Sequence, residues 1–286
     1  MLENEEEINM DISSDIGGEL KAKLDSLKAY LKEKKSIAVA FSGGVDSTFL
    51  LAVASKVLKE NVIAVTEVFA TVPEREKNEA LLFCKEHDIK QVIVCVDPMK
   101  NEDFTKNGPD RCYVCKKIIF SEIKRVAKEN GIDNVAEGSN TDDLNDYRPG
   151  AKAVKELGAL SPLKEAGLSK ADIRILSKAM GLKTWDKPSY ACLASRFLTG
   201  EEITQEKLKM IEKAEQILID KGFIEERVRL HGNLARIEVK KEDIKKLAEE
   251  DMREYIYKSF KEIGFDFVTL DFSGYKTGSM NRNIKS

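Results

Sequence analysis

A short stretch, residues 42–47, carries residue types that can hold a phosphate. It reads Ser-Gly-Gly-Val-Asp-Ser, between an apolar run and a helical pattern. Glycine lets backbone amides approach an anion closely, and the start of a helix carries partial positive charge. A plain glycine turn is the alternative. The setting favours a phosphate-binding loop, in which Ser42, Gly43, Gly44 and Ser47 supply amide and hydroxyl donors.

The same loop differs from two common nucleotide motifs. It lacks the Gly-Lys-Ser/Thr ending of a Walker A loop and the spaced glycines of a dinucleotide fingerprint. Asp46 is out of place in a purely anion-binding loop, unless a divalent cation or a nucleotide hydroxyl lies nearby. Asp46 therefore indicates that a divalent cation or a nucleotide hydroxyl lies beside the loop.

Cysteine supplies the second candidate chemistry. Two of the five cysteines, Cys112 and Cys115, stand at ligand spacing beside Arg111 and Lys116. Such pairs serve zinc, redox exchange or iron–sulfur ligation. Cys192 is a third candidate ligand. Three thiolates are one too few for a closed four-cysteine site, but they suit a [4Fe–4S] cluster with one iron open to an external ligand such as sulfide.

The remaining cysteines and the histidines limit the alternatives. Cys95 lies in an apolar run and is expected in the core, whereas Cys84 lies in a helical pattern and needs no function. With only two histidines in the chain, a metal centre built on several imidazoles is excluded. A zinc site with three cysteines and His231 remains an alternative to the cluster.

The elements that must position these residues alternate along the first part of the chain. A helical pattern covers about 17–35, and apolar runs of strand length alternate with further helical patterns. This order predicts a parallel sheet with helices on both faces, and ligands at the carboxyl ends of its strands. The expected strands are 36–41, 61–69, 90–96 and 134–140; the expected helices follow the loop and cover 73–87 and 120–131; the expected ligand-facing turns are 42–47, 66–69 and 138–143.

The last third of the chain follows another pattern. A helix is expected over about 204–221, then two strands around a His-Gly-Asn turn, and a last strand over 265–272. We predict an α/β fold with this organisation: an acidic leader (1–16), the main α/β domain (17–186), an active-site connector (187–200) and a smaller C-terminal α/β module for substrate binding or oligomerisation (201–286).

Composition narrows the classes of partner. The 286 residues include 47 Lys plus Arg and 50 Asp plus Glu, for a formal net charge of −3. This balance provides no overall basic excess for binding a nucleic-acid backbone, which leaves only a local basic patch as an alternative. The sequence contains no apolar run of membrane-spanning length, and its first residues do not resemble a signal peptide. We therefore expect a cytoplasmic protein without a membrane partner.

The loop resembles that of the PP-loop ATP pyrophosphatases, whose signature Ser-Gly-Gly-x-Asp-Ser is matched in full. The resemblance implies cleavage of ATP between its α and β phosphates, which yields an adenylated substrate and pyrophosphate. Residues 42–47 would then hold the pyrophosphate end, with Mg²⁺ bridging the phosphates. The turn at 137–143 would complete the ATP pocket.

Further motifs resemble the LarE family over about 17–272: RCYVCKKIIF, EGSNTDDLNDYRPG, SPLKEAGLSKADIR and TWDKPSYACLASR. The resemblance implies adenylation of a carboxylate on a pyridinium dicarboxylate mononucleotide, followed by sulfur transfer that gives a thiocarboxylate for a nickel-pincer cofactor. In one branch the cysteine matching Cys192 gives up its own sulfur. In another, cysteines matching Cys112, Cys115 and Cys192 hold a [4Fe–4S] cluster that carries sulfide. All three are present, so we expect the cluster branch.

The expected site follows from these resemblances. Besides the three cysteines, Asp46 and Arg196 are expected in catalysis. Arg196, Arg227 and Arg229 are expected to bind substrate, although the last two could instead pair with acidic residues across a subunit contact. A homo-oligomer is expected, and the sulfide donor stays open. The expected ATP-binding residues are Ser42, Gly43, Gly44, Asp46, Ser47, Thr66, Arg111, Lys116, Gly138, Asn140, Asp143 and Arg148.

Three other functions compete with this interpretation. A tRNA thiolase would also use three cysteines, but it predicts a basic surface. An amide-forming synthetase that uses ammonia would not need the cysteines. An iron–sulfur sensor that kept the ATP fold would show no exchange between ATP and pyrophosphate.

Overall fold

The computed structural model describes residues 16–145, 149–188, 192–276 and 280, with the side chains of 144 and 145 left out. Nearly all of the predicted leader and one predicted ATP ligand, Arg148, lie outside the described residues. No helix in the described ranges is both long and apolar enough to span a membrane.

The helices and strands alternate along the first half of the chain, as the sequence pattern predicts. The helices are α1 (Gly18–Lys34), α2 (Val45–Leu58), α3 (Glu74–Glu86), α4 (Glu102–Thr105), α5 (Arg111–Glu129), α6 (Pro149–Glu156), α7 (Pro162–Glu165), α8 (Lys170–Ala179), α9 (Gln205–Asp220), α10 (Ile244–Ala248) and α11 (Glu250–Ile263). The strands are β1 (Ile37–Ala40), β2 (Val62–Val68), β3 (Gln91–Cys95), β4 (Val135–Ala136), β5 (Arg227–His231), β6 (Leu234–Glu238) and β7 (Phe267–Leu270).

The described chain forms two compact units. The first contains the residues through Phe69 together with Glu74–Val96 and Cys112–Ser189. The second contains Ala70–Pro73, Asp97–Arg111 and the chain from Tyr190 onward. Two short segments from the first half of the chain therefore belong to the second unit, which no composition shift in the sequence indicates.

The first unit is built on a parallel sheet in the order β3-β2-β1-β4. Strand β1 is central, with Val39 paired to Ala64 on one side and to Ala136 on the other. Its residues Ile37–Val39 are fully buried, because both faces of the sheet are covered. The α/β prediction for this part of the chain is confirmed.

Helices α1 and α2 show why the core forms here. Leu24, Leu27 and Leu31 recur every three or four residues and bury one face of α1. Helix α2 is buried on almost every side, which suits a helix with so apolar a sequence. These side chains belong to one core cluster with Phe41 at the end of β1. Because the cluster includes residues on both sides of the loop between β1 and α2, it fixes the two ends of that loop.

The second unit carries a three-stranded sheet in the order β5-β6-β7. Strands β5 and β6 form the predicted antiparallel hairpin, with Arg229 opposite Arg236, and β7 pairs with β6 in parallel. Helices α9 and α11 contribute Leu208, Ile211 and Phe260 to the buried interior of this unit.

Two expectations differ from the structure. Cys95 is exposed rather than buried; it ends β3, the outer strand of the described sheet, which has a neighbouring strand on one side only. Helix α5 begins at Arg111, about nine residues before the expected start, so Cys112 and Cys115 are helical.

Candidate active site

The phosphate loop lies between the end of β1 and the start of α2. Gly43 has φ +71°, a left-handed conformation that favours glycine, and a Cβ there would lie 3.3 Å from the Cβ of Ala80. The hydroxyls of Ser42 and Ser47 are 3.2 Å apart, and Ser47 donates to the Gly44 carbonyl. The amide of Thr48 donates to the same carbonyl, so the amides before it lie at the open end of the helix.

Asp46 sits in a small polar cluster at the start of α2. Lys170, the first residue of α8, donates from its Nζ to Oδ2 of Asp46. Asn140, which is only 4% exposed, lies with its Nδ2 3.5 Å from Oδ1 of Asp46. Lys170 was not predicted as a site residue. The capping box formed by Ser169 and Asp172 fixes the start of α8 and so places Lys170 here.

Asp143 supports the turn after β4. Its Oδ2 accepts a hydrogen bond of 3.0 Å from the backbone amide of Asn140, and the side-chain oxygen of Asn140 accepts from the amide of Asp142. These bonds form within the turn itself. Asp143 therefore shapes the segment that presents Asn140 to Asp46, and its predicted contact with ATP stays a prediction.

Gly138 lies against the phosphate loop. A Cβ at Gly138 would be 3.0 Å from the backbone nitrogen of Ser47 and 3.2 Å from the Cβ of Asp46. Few real contacts are so short, and a backbone atom cannot rotate away as a side chain can. The sequence predicts that Gly138 lies at the ATP pocket, and the structure shows that its backbone approaches the phosphate loop closely.

The carboxyl end of β2 also carries polar residues. Thr66 is 3% exposed, and its hydroxyl accepts from the side chain of Gln91. The next residue, Glu67, was not predicted. Burial raises the pKa of its carboxyl, against the opposing effect of the charge of Lys116. The ammonium of Lys116 lies 5.1 Å from the ring centre of Phe120.

The three candidate cysteine ligands belong to different units. Cys112 and Cys115 lie three residues apart in the first turns of α5, on one helix face, with Cys112 exposed and Cys115 buried. Cys192 is exposed and immediately precedes a 3-10 turn, Leu193–Arg196, in the second unit.

Metal binding by these cysteines stays a prediction. Within the described ranges, no three His, Cys, Asp or Glu side chains are grouped so that they could hold a metal ion. The chemistry of the donors nevertheless fits an iron–sulfur cluster, because thiolates are its usual ligands and two of them share a helix face. The alternative zinc site would use His231 as a ligand. In the structure, Nε2 of His231 is already engaged, because it accepts a hydrogen bond of 3.1 Å from Arg236.

The turn after Cys192 is held by three arginines of the second unit. Arg196 donates from Nη1 to the carbonyl of Cys192 at 3.3 Å. Arg111 donates to the carbonyl of Ala194 at 2.9 Å, and Arg229 to that of Ser195 at 3.2 Å. These guanidinium groups thus fix the backbone that carries Cys192.

Buried glutamates hold two of these arginines, and sequence reasoning missed both. Glu215 binds Arg196 through two hydrogen bonds of 2.8 Å. Glu238 accepts from Nε and Nη2 of Arg229 at 3.0 and 2.9 Å. Arginines that lie deep in a protein need carboxylate partners, but their identity depends on tertiary packing.

The partners of Arg227 and Arg229 lie within the same unit. Arg227 is 2% exposed; its Nη1 donates to the carbonyl of Glu226, and its guanidinium carbon lies 5.0 Å from the ring centre of Tyr275. Burial lowers the pKa of Arg229, against the carboxylate of Glu238. The predicted roles of Arg196, Arg227 and Arg229 in binding substrate stay predictions.

Comparisons with known proteins show which sequences this chain is similar to. A family model described as PP-loop domain matches residues 17–147. An uncharacterized protein of Synechocystis is 40% identical over 92% of this chain and 98% of its own length. The pyridinium-3,5-bisthiocarboxylic acid mononucleotide synthase of Lactiplantibacillus plantarum is 35% identical over 93% of this chain and 96% of its own. An uncharacterized protein of Methanocaldococcus jannaschii is 34% identical over 89% and 98%.

The parallel sheet and the loop between β1 and α2 therefore define a PP-loop ATP-binding enzyme. With identity of this level over nearly its whole length, the chain belongs to the LarE family of ATP-dependent sulfur-transferring enzymes.

Proposed function

We propose that this protein uses ATP to activate a carboxylate of pyridinium-3,5-biscarboxylic acid mononucleotide and then replaces the activating group with sulfur. The observation that supports the proposal is a glycine-containing loop at a helix start, Ser42–Ser47, in a chain 35% identical over 93% of its length to a synthase named for the bisthiocarboxylic acid product. The product would be a thiocarboxylate of the nucleotide.

ATP activation comes first. A carboxylate oxygen of the substrate attacks the α phosphorus of ATP, and the bond to the bridging oxygen breaks, so pyrophosphate leaves with the electron pair. The amides at the start of α2 and the hydroxyls of Ser42 and Ser47 bind the phosphate oxygens as this charge develops. Mg²⁺ arrives with ATP, and Asp46 offers it an oxygen ligand at the loop.

Sulfur transfer follows. Sulfide attacks the carbonyl carbon of the acyl adenylate, the bond to the AMP oxygen breaks, and AMP leaves as an anion. We propose that Cys112, Cys115 and Cys192 hold a [4Fe–4S] cluster, which when bound supplies an iron-bound sulfide for this step. The three arginine bonds to the turn after Cys192 would keep that ligand in place.

A second route is favoured by the exposure of Cys192 in a different unit from the pair. Its thiolate would attack the acyl adenylate and form a thioester, with AMP as the leaving group. A base then removes the α proton of Cys192, and the Cβ–S bond breaks. The sulfur leaves with the substrate as a thiocarboxylate, and residue 192 becomes dehydroalanine.

Anaerobic purification separates the two routes. A broad absorption band near 400 nm and about four irons per chain are expected for the cluster. Cys112→Ala and Cys192→Ala should lose the iron, whereas Cys95→Ala, which alters an exposed cysteine outside the set, should keep it. Protein without iron that loses the mass of H₂S at residue 192 after one turnover would overturn the cluster and support the sacrificial route.

The acceptor is tested by exchange of labelled pyrophosphate into ATP. Exchange that depends on pyridinium-3,5-biscarboxylic acid mononucleotide is expected, because adenylation is reversible: after pyrophosphate leaves, labelled pyrophosphate can bind in its place and attack the acyl adenylate to form labelled ATP. A tRNA thiolase would instead adenylate a base and leave thiolated tRNA. Thiolation of tRNA, or absence of exchange with the pyridinium nucleotide, would overturn the proposed substrate.

A further inference from the structure

Lys187 is bound to the phosphate loop, although no motif assigns it a role. It is the first residue of the expected active-site connector (187–200). Its Nζ donates to the carbonyl of Gly43 at 3.0 Å. The same ammonium group donates to Glu76 at 2.8 Å and to Glu79, both on α3. The side chain is 11% exposed. Three acceptors thus match the three donors of an ammonium group.

The backbone that carries Lys187 is fixed from another direction. Arg174 of α8 donates to the carbonyl of Trp185 at 2.7 Å and to the carbonyl of Lys187 itself at 2.8 Å. Both ends of the lysine are therefore anchored within the first unit. A side chain held in this way can set the orientation of the group that it binds.

That group is the peptide between Gly43 and Gly44. In a trans peptide the carbonyl and the following amide point in opposite directions. Lys187 lies on the carbonyl side, because its Nζ donates to that oxygen, and Glu76 and Glu79 of α3 bind the same ammonium group. The amide of Gly44 consequently points away from Lys187, at the start of α2.

The charge of Lys187 argues against direct binding to phosphate. Glu76 and Glu79 both pair with it, and Arg75 lies 3.5 and 3.8 Å from the same two carboxylates. Two positive and two negative groups therefore cancel locally. A paired, largely buried ammonium group is better suited to hold the loop than to bind phosphate itself.

We propose that Lys187 is a positioning residue of the phosphate loop, which fixes the Gly43 carbonyl and so directs the Gly44 amide at the β and γ phosphates of ATP. The inference rests on the ATP-activating step of the proposed function. It requires neither the identity of the acceptor nor the source of the sulfur.

The test is calorimetric titration of the full-length protein with Mg-ATP, pyrophosphate and AMP. Lys187→Met should weaken binding of ATP and of pyrophosphate by a similar factor, about 10- to 100-fold for a lost charge-assisted hydrogen bond at a loop that then reorients. Binding of AMP, which lacks the β and γ phosphates, should change little. Lys187→Arg keeps a charged donor and should restore part of the affinity.

Lys178→Met is the matched control, because Lys178 is an exposed lysine of the same unit whose ammonium lies over the ring of Trp185. If Lys187→Met does not fold, Lys187→Gln, which keeps a donor without the charge, carries the test. Unchanged ATP and pyrophosphate affinity, or equal loss of AMP affinity, would overturn the positioning role. Failure of the native protein to bind ATP would instead contradict the proposed function.

Discussion

Arg196, the last residue of the turn that follows Cys192, forms a buried bidentate ion pair with Glu215. Nε and Nη2 of the arginine each lie 2.8 Å from a different carboxylate oxygen, and the side chains are 1% and 7% exposed. Burial acts to raise the pKa of Glu215, but the ion pair with Arg196, the charge of Arg227 and the amide of Val228 together lower it. Glu215 also accepts from the amide of Val228, so the pair joins the cysteine-bearing turn to β5.

Removing one member of this pair should destabilise the protein strongly. Arg196→Met leaves the carboxylate of Glu215 buried without its counter-ion, a change that typically costs about 3–5 kcal/mol. Urea unfolding should show the loss. The double variant Arg196→Met/Glu215→Met removes both charges and should be closer to the native protein than either single variant. A double variant as unstable as the sum of the singles would contradict the coupling.

Gly138→Ala should impair nucleotide binding more than folding. The added Cβ would press on the backbone nitrogen of Ser47 at 3.0 Å, and the phosphate loop must move to admit it. Overpacking costs about 1–3 kcal/mol, which corresponds to a loss of about 5- to 150-fold in ATP affinity if the phosphate loop takes up the strain. Titration with ATP measures the loss. Gly108→Ala, where the Cβ meets nothing within 4 Å, is the control and should bind normally.

Thiol reactivity should divide the five cysteines. Burial raises the pKa of Cys84 to about 12, so its reactive thiolate is scarce near neutral pH. On metal-free protein, iodoacetamide should modify the exposed Cys95, Cys112 and Cys192 well before Cys84 and Cys115, as judged by mass spectrometry of timed samples. Early modification of Cys84 would show that helix α3 opens readily.

Both histidines should lower the free energy of unfolding of the protein in mild acid. Burial is the main cause that lowers the pKa of His87 and of His231 below the ordinary value of 6.5. The unfolded chain therefore binds protons first as the pH falls through 6.5, and the free energy of unfolding decreases. Urea midpoints from about pH 7.5 to about pH 5.5 measure this slope. In a His87→Gln/His231→Gln variant, the urea midpoint should depend less on pH. An unchanged slope would show that other groups cause the pH dependence.

The sequence predicts the elements whose patterns are local. Leucine spacing in α1, the apolar runs of β1 and β2 and the glycine loop before α2 each reflect a short-range preference, and the structure confirms these elements. The predicted start of α5 was wrong. Gly108 and Pro109 indicate a turn, and this signal obscures the helix that begins two residues after Pro109. Cys95 shows a further limit, since an apolar run does not reveal that its strand lies at the edge of a sheet.

The residues of the candidate site likewise fall into those that local motifs predict and those that only the fold reveals. Ser42–Ser47, Gly138 and Asn140 could be named from motifs, because their spacing follows the strands that carry them. Partners such as Lys170, Lys187 and Glu215 were missed, since their contacts span long stretches of chain. Lys187 lies 144 residues from Gly43, and only the fold brings the two together.

The contacts around Gly43 and Asp46 also bear on the order of events during synthesis. Ser42–Ser47 leaves the ribosome early, but Gly138, Lys170 and Lys187, which enclose or anchor the loop, follow only much later. A nascent chain that stops before Lys187 contains the whole glycine motif but not the residues that hold it. If Lys187 positions the loop as proposed, tight binding of ATP requires translation of nearly all of the first unit, and a nascent chain that stops earlier should bind ATP more weakly.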